Sequence, residues 1–328
     1  MSDVEAKPEF QQWHVTSPYL HLHCGLGEGP YYEAATHSLR FVDIKKRRVH
    51  VVKDLSNPAP DPASASDVET IQLDTPVTVT ADIDGVDPSE RFLIGAKYGI
   101  AVLDRRAGTY QYVARFSGAA AADNERLRSN DGAVDPHGRF WLGTMTDIGL
   151  DLQPEGSLFL FDGARPGVCK QHPVTIPNSV SWSPDRTTLY FTNSTERQIL
   201  AFPYDPRTGH VDTTTTSSSS SPTVLYHHPG PGEPDGCRVD VDGYLWQAVY
   251  GEGRVLKISP RGQVVGEIRL PTRNVTCTQF VGTELLITTA AMEEGEGTEE
   301  EVRMGGALFR VDVGVKGLEP FLFKLGGS

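Results

Sequence analysis

The sequence predicts an all-β chain folded as a six-bladed β-propeller with four-stranded blades, and three observations carry that prediction. A turn rich in Asp, Pro, Ser or Gly followed by a short β-branched or aromatic strand recurs six times. Counted from Leu39 through Phe92, Phe140, Leu189, Leu245 and Leu285, the recurrences are 53, 48, 49, 56 and 40 residues apart, the loose period of four-stranded blades. The strands are apolar on both faces, as neighbouring blades stacked around an axis require.

In chain order the predicted strands are 38–44 (SLRFVDI), 91–96 (RFLIGA), 139–144 (RFWLGT), 188–193 (TLYFTN), 244–248 (YLWQA) and 284–289 (ELLITT). Three are preceded by turns of one design: Asp135-Pro136-His137-Gly138, Ser183-Pro184-Asp185-Arg186 and Asp240-Val241-Asp242-Gly243. Proline fixes φ, Asp or Ser bonds the local backbone, and glycine takes a positive φ, so each turn reverses the chain between two strands. The stretch 118–129 reads as a short helix or ordered excursion, since Ala119 to Ala122 favour helix. Segments 57–67, 213–221 (TTTTSSSSS) and the acidic run 293–301 read as loops, the second accounting for the longest interval. The whole chain, 1–328, is expected to be one domain, with 1–13 and 213–221 flexible.

Composition narrows the function. A net charge of −13, from 43 acidic against 30 basic residues, repels phosphate and so argues against nucleic acid or an anionic membrane as partner; a cation suits it better. No apolar run has the length of a membrane span, and the start lacks a signal-peptide core, so a cytoplasmic protein with no obligatory protein partner is expected. Cys24, Cys169, Cys237 and Cys277 are far apart with no C-x-x-C pair, and read as reduced core thiols.

Three segments share a layout in which Asn or Asp precedes one of the predicted strands by 10 or 11 residues: Asn130 before Phe140, Asn178 before Leu189, and Asp235 before Leu245. Equivalent positions in radial repeats point at one axis. Glu28, flanked by Gly27 and Gly29-Pro30 just before the first predicted strand, can join them from the chain's start. Oxygen donors with two carboxylates describe a central site for one divalent cation, and calcium, magnesium, manganese, zinc and iron(II) all suit it. His21, His23 and His227-His228 form no convergent ligand set, Asp82 to Asp87 lacks the spacing of an EF-hand, and no G-x-S-x-G elbow marks a serine hydrolase.

On Gly27-Glu28-Gly29-Pro30, Phe41-Val42-Asp43-Ile44, Arg128-Ser129-Asn130-Asp131-Gly132, Val134-Asp135-Pro136, Gly143-Thr144-Met145, Pro177-Asn178-Ser179, Pro234-Asp235-Gly236 and Gly314-Val315-Lys316-Gly317, the chain resembles the regucalcin and gluconolactonase (senescence-marker-protein) family over nearly its whole length. The resemblance implies a propeller that hydrolyses sugar-acid lactones with a single metal. It implies Glu28, Asn178 and Asp235 as metal ligands and Arg128 and Asn130 as substrate contacts. The metal would polarise the lactone carbonyl, with Asp235, or a water it holds, delivering the nucleophile. Asp147 stands beside Ile148, which aligns where some members carry a substrate-contacting acid, and Ser179 stands where the commoner pattern has glycine. The expected activity is hydrolysis of a 1,4- or 1,5-aldonolactone. The alternatives are the same fold and metal acting on another ester or a phosphotriester, and a non-catalytic calcium-binding or interaction propeller.

Overall fold

The computed structural model describes residues 9–61, 63–64, 66–117, 124–211 and 222–326. Six sheets follow one another in chain order, each built on four antiparallel strands and one extended by a fifth. The first blade comprises Gly27–Glu33, Ser38–Asp43, Arg48–Val52 and Val68–Gln72. The second has Val77–Ala81, Arg91–Ala96, Gly99–Asp104 and Thr109–Arg115; the third has Leu127–Val134, Phe140–Thr146, Gly156–Phe161 and Val168–Val174. The fourth has Pro177–Trp182, Thr188–Asn193, Gln198–Pro203 and Thr223–His227, and the fifth has Glu233–Val239, Leu245–Tyr250, Arg254–Ile258 and Val264–Arg269. The sixth combines Val275–Val281, Glu284–Thr289 and Ala307–Asp312 with Leu20–His21 from the start of the chain, which pairs with Ala307 and Leu308 and so joins the chain's two ends in one sheet.

The predicted strands are the second strand of each blade rather than the innermost. They dominated the pattern because they are covered on both faces: Leu39, Phe92, Phe140, Leu189, Leu245 and Leu285 are all buried. Aromatic residues fill the gaps between blades, with Phe140, Phe159, Phe161 and Phe116 between the second and third and Trp246, Phe280 and Phe309 between the fifth and sixth. Each such side chain contributes roughly 1.5–3 kcal/mol on burial.

The turn design has a second use. Asp135 accepts the amides of His137 and Arg139 and the Trp141 indole N–H, and Asp240 accepts the amides of Asp242 and Tyr244 and the Trp246 indole N–H. One carboxylate thus closes the hairpin and anchors the large ring of the next strand. Gly138 and Gly243 have φ of 83° and 86°, whereas Arg186 takes the left-handed position of its turn at 59° without a glycine.

Four expectations are corrected. Gln11–Trp13, within the segment 1–13 expected to be flexible, belong to a fifth strand, Gln11–His14, that runs parallel to Val264–Arg269, with the Trp13 and Trp246 ring centroids 5.3 Å apart. The acidic run ends in a helix, Glu299–Met304, instead of a loop: Thr298 and Glu301 form a capping box, and three glutamates in the first turn complement the helix dipole. In 118–129, Leu127–Ser129 belong to a strand; 118–123 lie outside the described residues, as do 1–8 and 213–221, so the flexibility expected of those segments falls outside them. Cys169 is exposed, whereas Cys24, Cys237 and Cys277 are buried thiols.

The inner strands all start on one face of the propeller, together with the loops joining second to third strands. The opposite face is closed by 316–324. Leu318 donates to Val239 O, Phe323 to Asp82 O and Lys324 to Gly138 O, so this segment straps the fifth blade to the second and third. No helix among the described residues is long and apolar enough to cross a membrane.

Candidate metal and substrate site

Every inner strand carries a β-bulge near its start, at Glu28/Tyr31, Val77/Val79, Ser129/Gly132, Asn178/Val180, Pro234/Cys237 and Val275/Cys277. A bulge adds a residue and re-aims a side chain that regular pleating would bury between blades. The bulges at Glu28, Asn130-Asp131, Asn178 and Asp235 turn these polar groups toward the axis. After three of the acids stands a glycine that a side chain cannot replace. A Cβ at Gly29 would meet Thr78 O at 2.8 Å, one at Gly132 would meet Trp141 O at 2.2 Å, and one at Gly236 would meet Cys277 Sγ at 2.3 Å.

The side chains are held from below. Gly29 N–H donates to Glu28 Oε2 (3.0 Å), Ser179 N–H to Asn178 Oδ1 (3.1 Å) and Gly132 N–H to Asp131 Oδ1 (2.7 Å). Asn178 Nδ2 donates to Asp235 Oδ1 and to Ser194 Oγ, which in turn donates to Pro234 O. Gln247 Nε2 donates to the backbone oxygens of Asp235 and Gly236 and so fixes the bulge that carries Asp235. Arg128 Nη1 donates to Ser129 O (2.7 Å) and Asn130 Oδ1 (2.9 Å), while Asn130 Nδ2 donates to Pro177 O (2.9 Å), linking the third blade to the fourth.

Glu28, Asn178, Asp235 and Arg128 are buried and Asn130 is partly buried, all five at one end of the axis. Asp147 sits apart at the rim, where Lys97 Nζ binds it at 2.8 Å. It still acts on the centre, since its charge favours the protonated Arg128. Three residues went unpredicted. Asp131 is a third buried carboxylate, legible in retrospect because Asp131-Gly132 repeats the acid–glycine pairs Glu28-Gly29 and Asp235-Gly236. Arg238, bonded to Gln279 Oε1, Cys237 O and Pro30 O, supplies positive charge beneath the acids, and Lys97 is the partner of Asp147.

Burial and mutual repulsion shift the titration of the central acids. Burial, reinforced by Asp131, pushes Glu28 up to about 8, and burial with the charges of Glu28 and Asp131 raises Asp235 well above the usual carboxylate range. Burial also raises Asp131 and brings Arg128 down to about 10. Glu28 and Asp235 form no ion pair, and Asp131 Oδ2 has no hydrogen-bond partner among the described residues. Buried carboxylates are ordinarily paired or bound to metal. A donor set of two carboxylates and an amide oxygen fits a divalent cation that takes oxygen ligands.

A second cluster, Cys24, Asp43 and His50, brings potential ligand atoms within 4.8 Å of one another behind the first blade. There Asp43 already accepts the amides of Gly25, Leu26 and Lys46, which closes the turn leading to Glu28.

Comparison with known proteins agrees with this architecture. Residues 26–291 match the family model described as SMP-30/Gluconolactonase/LRE-like region. The chain is 32% identical over 306 residues to a pentonolactonase of Haloferax volcanii and 30% identical over 305 residues to a 6-deoxy-6-sulfogluconolactonase of Pseudomonas putida, covering 91% of this chain and 94% of the relative in each case. Among solved structures, a calcium-binding regucalcin from Agrobacterium tumefaciens superposes with a TM-score of 0.81 at 25% identity, covering 96% of this chain and 99% of that one. The chain belongs to the SMP-30/gluconolactonase/LRE-like family.

Proposed function

We propose that the protein is a metal-dependent hydrolase of sugar-acid lactones, opening a 1,4- or 1,5-aldonolactone to the free acid. The observation that carries this reading is the convergence of Glu28, Asn178 and Asp235 from three blades beside Arg128 and Asn130. The names of the pentonolactonase and sulfogluconolactonase relatives support the reaction class.

Glu28, Asn178 and Asp235 would hold the cation, which supplies Lewis-acid polarisation of the lactone carbonyl when bound. Arg128 is fixed on one side by Ser129 O and Asn130, and its buried Nε has no partner among the described residues. That N–H is available to a substrate oxygen and, with the Asn130 amide, orients the ring for attack. Asp235 would take a proton from the water that attacks the carbonyl and return it to the ring oxygen as the ring C–O bond breaks, leaving the open hydroxy acid. Asp147, held by Lys97, borders the entrance and contacts the substrate's outer hydroxyls.

The test is turnover of glucono-, xylono-, arabinono- and galactono-lactones by chelator-treated protein with and without added calcium, zinc, manganese, magnesium or iron(II). Metal-restored turnover in the wild type, absent from an Asp235→Ala protein of unchanged circular dichroism, is expected. Full activity above spontaneous hydrolysis in Asp235→Ala would sink the reading.

A further inference from the structure

A groove of about 470 Å3 lies beside the site on the same face, between the loops of the first three blades. Lys45 and Arg47 come from the turn after Ser38–Asp43, Lys97 and Tyr98 from the turn after Arg91–Ala96, and Asp147 with Ile148 from the turn after Phe140–Thr146. Asp147 is common to this groove and to the site, lining the one and acting electrostatically on Arg128 in the other. Arg128 pairs in the sheet with Met145, two residues before Asp147, and the Asp147 amide donates to Arg126 O, so a molecule whose ring lies on Arg128 can reach past Asp147 into the groove.

The groove's charge runs against the rest of the molecule. In a chain of net charge −13 it gathers Lys45, Arg47, Lys97 and Arg115 against two carboxylates, Asp74 and Asp147. Asp147 is matched by Lys97, and Asp74 Oδ1 accepts the Tyr110 hydroxyl. The Arg47 side chain donates to the backbone oxygen of Asp74, and neither it nor Lys45 has a carboxylate partner among the described residues. On the far wall Tyr98 and Tyr112 present aromatic rings, with the Arg115 guanidinium 4.7 Å from the Tyr112 centroid. Lys45 and Arg47, with donors unused by any carboxylate, in a groove also lined by Tyr98 and Tyr112, suit an oxyanion carried on a short carbon chain.

We propose that this groove is a substrate subsite for an anionic substituent, a phosphate, sulfonate or carboxylate at the end of the lactone remote from its carbonyl, with Lys45 and Arg47 as the specificity-determining residues. This rests on the lactonase reading for the position of the ring, though not for the existence of the subsite.

Two measurements separate the two claims. The first is calorimetric binding of 6-phosphogluconate, 6-deoxy-6-sulfogluconate and glucarate against gluconate, to the metal-loaded wild type, to Lys45→Glu/Arg47→Glu and to the milder Lys45→Gln/Arg47→Gln. At least one anionic acid is expected to bind about tenfold or more tighter than gluconate, as two charge-assisted contacts would provide. The advantage shrinks with added salt and disappears in both variants, and the preferred acid names the anion. Equal affinities in the wild type, or an advantage that both variants keep, overturn the subsite. The second measurement is kcat/KM on glucono-1,5-lactone and its 6-phospho derivative. The variants keep wild-type turnover of the neutral lactone and lose the preference for the charged one. A wild type inert on both lactones overturns the lactonase reading, while the binding measurement still decides the subsite.

Discussion

His50 gives the most direct link between burial and a measurable stability curve. Its ring packs on Phe41 with centroids 5.2 Å apart, its Nδ1 lies 2.9 Å from Thr70 Oγ1, and the residue is 3% exposed. Burial lowers the imidazole from its ordinary 6.5 to about 4; Asp43 favours the charged form, but Arg48 and Lys46 oppose it. The folded protein therefore refuses a proton that the unfolded chain accepts. Above about pH 6.5 both states are neutral and His50 contributes nothing to the pH dependence. As the pH falls from 6.5 toward 4, the unfolded state gains the proton first and stability drops; below about 4 the loss is complete. A gap of about 2.5 units at ~1.36 kcal/mol each amounts to about 3 kcal/mol, of which about 2.5 kcal/mol has gone by about pH 4.5. The assay is urea unfolding of the wild type and His50→Gln at several values between about pH 7.5 and 4.5. Subtracting the two curves cancels the titration of the carboxylates. The variant, which keeps a group able to bond Thr70, is expected to gain on the wild type by about 2–3 kcal/mol across this interval. Parallel curves, with a constant difference at every pH, would refute the claim that His50 is held neutral by burial.

Two further outcomes concern the central site. Gly236→Ala drives a Cβ to 2.3 Å from Cys277 Sγ and 2.8 Å from its Cα, so the bulge carrying Asp235 has to shift; a loss of about 1–3 kcal/mol is expected by thermal unfolding, together with a fall of about tenfold or more in cation affinity. Chelation is expected to lower the melting temperature reversibly, since a cation at about one hundred times its Kd adds about 2.7 kcal/mol; calorimetry of Asp235→Asn, in which melting no longer responds to chelator and cation, checks that the response comes from this site.

What could be read in the sequence follows from which strands speak loudly. The second strands are sealed between blades, so Phe92, Phe140 and Leu245 stand in dense apolar runs that repeat visibly. The outer strands are half in solvent: Val168–Val174 and Thr223–His227 are mostly exposed or intermediate with one buried residue each, and their composition resembles that of turns. Gln11–His14 was unreadable for a related reason. Its residues are largely exposed, and what fixes them is Trp246, more than two hundred residues away. The helix Glu299–Met304 did carry a local signal, the Thr298…Glu301 capping box, which the uniform acidity of 293–301 obscured.

The candidate site carried sequence signals of its own, because the chemistry of its residues is local while symmetry brings their strands to one axis. Glu28, Asn178 and Asp235 each sit on a bulge that needs a small or turn-forming neighbour, and a bulge in every inner strand brings them to one axis without any contact that the sequence could reveal. Ser179, where glycine is commoner, marks how little room the device leaves. Its N–H supports Asn178 as Gly29 supports Glu28, and its hydroxyl finds Cys237 O at 3.2 Å in place of the close strand approach seen at Gly236. Asp131 escaped notice because an Asn-Asp-Gly triplet reads first as a turn. Only burial beside Glu28 and Asp235, with one oxygen left unpartnered, makes it part of the same electrostatic unit. Lys97 and Arg238 had no sequence signal, since nothing local distinguishes a cation that answers an acid fifty or more residues away. The rule that separates the two groups is physical. A residue whose role is set by its own backbone turn can be found from its neighbours in sequence, and one whose role is set by charge compensation needs the fold.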